Sequence, residues 1–204
     1  ELTKKAFVKY NLQDAWNRVV AVVVQPGVEF GDEVVFDYDR NKSRELTDVI
    51  ENYPNIVYEA HSTDYQKKEL LKQMVEDHFG FLKVGPWLTF AFREAVFALA
   101  LIEKELLSSK RGIILSNLLE VVDERMINFP KYWEQYYDFS EQENKLKRKY
   151  SYSDRIRYYW ADNIVNESLQ RLIHNLTENK IPHILLSQYL PAEYFAIREG
   201  VLSE

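Results

Sequence analysis

Hydrophobic and polar positions along this chain fall into short apolar runs separated by longer stretches of helical period. Val19 to Gln25 (VVAVVVQ) is almost continuously apolar and β-branched, the pattern of a strand covered on both faces in a parallel sheet. Three further β-prone runs follow: Ile56 to Ala60 (IVYEA), Phe81 to Val84 (FLKV) and Ile184 to Gln188 (ILLSQ). Between them the apolar residues recur at helical spacing. Ser43 to Tyr53 predicts one helix, and Asp64 to Phe79 another, with Leu70, Leu71, Met74, Val75 and Phe79 on its apolar side. Thr89 to Leu107 predicts the longest helix, and Asn163 to Thr177 one that leads into the last apolar run. Ala6 to Tyr10 and Leu12 to Arg18 read as helix feeding the first strand. This rhythm implies βα units around a parallel sheet. Right-handed crossovers then bring the carboxyl ends of the strands to one side.

The stretch between Leu107 and Ile184 breaks the rhythm. Leu115 to Met126 reads as helix, and an aromatic cluster (Phe129, Tyr132, Trp133, Tyr136, Tyr137) surrounds a break at Pro130. Ser151 to Trp160 (SYSDRIRYYW) begins a further helix, with Ser151 or Ser153 as its N-cap. The expectation is a helical insertion over 108–160, on one rim of an α/β fold. Four parallel strands leave two edges to cover. They suit half of an eight-stranded (β/α)8 TIM barrel, whose usual size is about 250 residues. Residues 1–204 are therefore expected to be one half of a single barrel domain.

The strand ends carry the polar chemistry. Gln25-Pro26-Gly27 follows the first run, Glu59, His61, Ser62, Thr63 and Asp64 close the second, Lys83 and Gly85-Pro86 close the third, and Ser187-Gln188 closes the fourth. In parallel α/β folds the site lies at those ends. Glu59 and His61 are two positions apart, so on a strand they share a face. Together they suit a divalent metal such as zinc, or His61 acts as general acid or base. The structural alternative is a histidine hydrogen-bonded into the rim. Lys83, inside a short apolar strand, suits a phosphate or carboxylate, a Schiff base if desolvated, or an ion pair with Glu59. Gly85 lets a phosphate approach backbone N–H groups at the start of the next helix. Arg155 and Arg157 beside aromatics suit a phosphorylated ligand, a partner subunit or an intramolecular ion pair with Asp154. His78, His174 and His183 read as structural or exposed.

Composition narrows the function classes. The 204 residues carry a formal net charge of −6, which argues against nucleic acid as the main partner, and the cluster Lys145 to Lys149 reads as a solvated face. There are no cysteines, so disulfides and thiolate chemistry are excluded. No apolar run approaches the ~20 residues of a membrane span, and the expectation is a cytoplasmic protein. Walker A, GxGxxG and HExxH patterns are absent.

Five segments, VVAVVVQPGVEF (19–30), YEAHSTDYQ (58–66), VEDHFGFLKVGPWLTFAFREAVFALA (75–100), YSYSDRIRYYW (150–160) and LLSQYLP (185–191), together resemble the GatZ/KbaZ family. These are non-catalytic subunits of class II D-tagatose-1,6-bisphosphate aldolase. The resemblance implies a TIM barrel of which this chain covers about strands 5–8. It also implies a catalytic aldolase subunit as partner, in galactitol, N-acetylgalactosamine or tagatose catabolism. Related proteins have been labelled tagatose-6-phosphate kinases, a label the motifs here do not support. Others are described as metal-dependent ketose epimerases. Two departures are visible: Ala161 stands where the family usually has proline, and Trp87 where it often has a small residue.

Two readings follow. In the first, the chain supports a separate catalytic subunit. In the second it is itself a metal-dependent epimerase or aldolase acting on a ketose or its phosphate. Glu59, His61 and Asp64 then supply ligand, base or acid, and Gln25, Lys83, Gly85, Arg155, Ser187 and Gln188 hold sugar or phosphate oxygens.

Overall fold

The first strand, β1 (Ala21–Val24), lies beside β4 (Val57–Ala60), which in turn pairs with β5 (Phe79–Leu82). Both pairings are parallel. A computed structural model describes residues 1–203 of the chain, and it divides into two compact units, 1–87 and from Leu88 onward. The strand order follows the chain order, as expected of successive βα units.

In the first unit, α1 (Leu2–Lys9) and α2 (Gln13–Trp16) precede β1. A two-stranded antiparallel hairpin, β2 (Glu29–Phe30) and β3 (Val35–Phe36), and α3 (Arg40–Ile50) fill the β1–β4 crossover. The crossover to β5 is α4 (Lys68–Glu76). Asp39 caps α3 by accepting the Asn41 N–H at 3.0 Å. In β4 the pleat separates the side chains: Tyr58 and Ala60 are buried, whereas Val57 and Glu59 are half-buried. Tyr58 and Ala60 join Val28, Tyr38, Ile50, Met74 and Phe79 in one apolar core. Val28, Ile50, Met74 and Phe79 each contribute ~1.5–3 kcal/mol when fully buried. The Tyr38 hydroxyl donates to Asp77 at 2.8 Å, and burial with that bond pushes it up to about 12.

The opposite face of the sheet is open. The register sets Val23, Glu59 and Phe81 in one row, and Val23 and Phe81 are 52% and 48% exposed. The expectation that β1 is covered on both faces is therefore corrected. Among the described residues β1 is an edge strand, and Val22 and Val23 both reach solvent.

From Leu88 onward the second unit is helical. It comprises most of α5 (Trp87–Leu107), then α6 (Leu118–Asn128), a 3-10 turn Pro130–Tyr132, α7 (Glu141–Tyr150), a second 3-10 turn Arg155–Tyr159, and α8 (Asn163–Glu178). Two short helices, α9 (His183–Tyr189) and α10 (Pro191–Arg198), end it. Leu118, Val122 and Met126 on α6 and Val165, Leu169 and Leu172 on α8 recur at helical spacing and meet Val96, Phe97 and Ala100 of α5 in one core. Glu103, 1% exposed, accepts the Ser116 N–H at 3.0 Å and an Asn175 amide proton at 2.6 Å, which fixes the α5–α6 connection. Arg148, also buried, donates to Asp123 at 2.7 Å and Glu141 at 2.8 Å.

Three expected elements differ. Ile184 to Gln188 is helix, not strand: Pro182 and Pro191 bracket a seven-residue helix with Leu185 and Leu186 half-buried and Ile184 77% exposed. A five-residue apolar run carries no periodicity that separates the two states. The helix predicted to reach Phe79 stops at Glu76, because His78 takes a left-handed backbone (φ 70°) and releases Phe79 into β5. That strand consequently begins before Phe81 and ends before Lys83. Finally, neither Ser151 nor Ser153 caps a helix over 151–160; Asp154, at φ 47°, precedes a 3-10 turn instead.

Candidate functional site

Parallel pairing places Gln25 just past β1, His61 just past β4 and Lys83 with Gly85 just past β5, all at the carboxyl end of one sheet. At the centre of this edge His61 Nε2 and Glu59 Oε1 are 2.8 Å apart, each side chain 30% exposed. A carboxylate on one imidazole nitrogen fixes the ring and leaves Nδ1 for another partner, the arrangement of a proton donor or acceptor.

The loop that follows is rigid for identifiable reasons. Thr63 sends both its N–H and its hydroxyl to the Lys83 carbonyl, at 3.2 and 3.1 Å. Asp64, fully buried, accepts the Gly85 N–H on both carboxylate oxygens and the Trp87 N–H on one, all at 2.9 Å. Gln66, 3% exposed, accepts the Tyr38 N–H and donates to the Phe36 carbonyl, tying the β2–β3 hairpin to the same loop. These bonds hold Ser62 and Tyr65 in left-handed backbone, φ 57° and 62°. Such conformations cost ~1–2 kcal/mol in a non-glycine residue and persist only where surrounding contacts enforce them. Tyr65 packs edge-on against Phe30 at 5.3 Å and tilted against Trp87 at 5.9 Å. One aromatic ring from the segment that follows each parallel strand thus meets at the rim.

The structure sorts the sequence-derived candidates. Glu59 and His61 are brought together. Asp64 is committed to backbone N–H groups and stands as a scaffold residue at the α5 N-terminus. The Gly85 N–H is engaged by that carboxylate rather than open to a phosphate. Lys83 lies beyond the strand, not inside it, exposed at the rim, and its ion pair with Glu59 is replaced by the His61 contact. Gln25 is exposed at the rim. Ser187 and Gln188 are on α9 rather than at a strand end. Arg155 lies 3.1 Å over the Tyr136 ring and donates to the Tyr132 carbonyl, and the residue that pairs with Asp154 is Arg93, at 3.2 Å. Among the described residues no group of three or more His, Cys, Asp or Glu is placed to hold a metal.

Sequence reasoning missed the roles of Gln66 and the Phe30–Tyr65–Trp87 cluster. Their partners are more than 20 positions away along the chain in every case, so no local pattern marks them.

Comparison with known proteins adds two findings. The profile of the family described as D-tagatose-1,6-bisphosphate aldolase subunit GatZ/KbaZ-like matches residues 1–204. A solved structure, a probable tagatose 6 phosphate kinase from Sinorhizobium meliloti 1021, superposes with a TM-score of 0.89 at 42% identity. The match covers 97% of this chain and 50% of that one, so this chain spans half the length of its solved relative.

Proposed function

This chain belongs to the GatZ/KbaZ-like family of D-tagatose-1,6-bisphosphate aldolase subunits, and on that premise we propose that it is part of a non-catalytic subunit. It supports the activity and stability of a separate catalytic aldolase subunit in the cytoplasm, in galactitol, N-acetylgalactosamine or tagatose catabolism. Its three-stranded sheet is part of a TIM barrel, three successive strands within the span expected for strands 5–8, with their helical additions. The open row Val23–Glu59–Phe81 and the two free strand edges support that reading, since other strands of the barrel cover both.

The observation that carries the subunit reading is the fate of Asp64. Aldol cleavage needs a stabilised enolate and a base within reach. Of the three rim groups suited to that work, Asp64 is spent on three backbone contacts, which leaves the Glu59–His61 pair alone at the rim. A zinc ion fits only partly, because the pair supplies two donors and the described residues add no third beside them.

The second reading, a metal-dependent ketose epimerase or aldolase, is favoured by the same Glu59–His61 pair. A half-exposed imidazole held by a carboxylate is able to move a proton at a sugar carbon. The name of the solved relative suggests a phosphoryl transfer, for which this sequence carries no phosphate-binding motif.

The test is to assay the full-length protein alone and with its cognate catalytic subunit on tagatose 1,6-bisphosphate. Cleavage that depends on the partner and rises when the protein is added supports the first reading. Cleavage or epimerisation by the protein alone, abolished in His61→Ala, sinks it, and so does phosphorylation of tagatose 6-phosphate by the protein alone.

A further inference from the structure

We draw no further inference here: the strongest candidate, the open cleft of the helical unit between α5 (Arg93, Glu94, Phe97), Tyr152 and α9 (Gln188, Tyr189), carries nothing, because nothing in the structure shows what covers it.

Discussion

Asp64 accepts the backbone N–H of Gly85 on both of its carboxylate oxygens, at 2.9 Å each. With the Trp87 N–H at the same distance, one buried side chain joins the loop after β4 to the start of α5. Asp64→Ala leaves these donors without their acceptor. It is expected to cost ~2–3 kcal/mol, and Asp64→Asn somewhat less, because the amide retains one acceptor oxygen. Urea unfolding of the two variants checks this; a change under half a kcal/mol in Asp64→Ala would show the carboxylate to be dispensable.

The Glu59–His61 pair is expected to behave in the opposite way. Both side chains are 30% exposed, and partly solvated pairs contribute ~1 kcal/mol or less. His61→Ala and Glu59→Ala should therefore melt within a few degrees of wild type. Any change they cause in aldolase support then reports on chemistry rather than folding.

Gly80 lies in β5 beside Val57, and a Cβ added there would sit 2.7 Å from Val57 Cγ2. Since Val57 is a β-branched strand residue with little rotamer freedom, the sheet must shift. Gly80→Ala is expected to destabilise by ~1–3 kcal/mol. The double variant Gly80→Ala/Val57→Ala should recover part of that loss in the same denaturation assay.

Glu103 serves Ser116 and Asn175 from a fully buried position. Glu103→Gln places an amide donor among donors and is expected to cost ~2–4 kcal/mol. Hydrogen exchange at the Ser116 amide, left with one of its two acceptor oxygens, should accelerate along with the fall in melting temperature.

Acid should destabilise the helical unit through Asp162. The Arg125 guanidinium, 2.5 Å away, holds its carboxyl below the usual value of 3.8. A group lowered in the fold contributes stability above its unfolded value, and that contribution is lost as pH falls through the folded one. Asp154 acts in the reverse sense. Burial raises it, so its contribution is fully present below its unfolded value and fades as pH rises through the folded one. The expected profile is a melting temperature that drops below about pH 4. Asp162→Asn should flatten that drop while preserving a competent cap on α8. An unchanged slope would remove Asp162 from the account.

The sequence by itself determined the strands β1 and β4, the approximate place of β5 and the long helices. Consecutive β-branched residues and sustained helical spacing are local properties with few alternative outcomes. It also determined that Glu59 and His61 share a face, because the strand repeat is two. Tertiary structure decided what no local pattern encodes. The apolar run at Ile184 became a helix between Pro182 and Pro191. His78 ended α4 early through a left-handed turn. Asp64 turned from a candidate reactive group into a cap because residues 21 and 23 positions later supply its three hydrogen bonds. Whether a polar side chain at a strand end is reactive or structural depends on which donors reach it, and the folding of distant segments sets that.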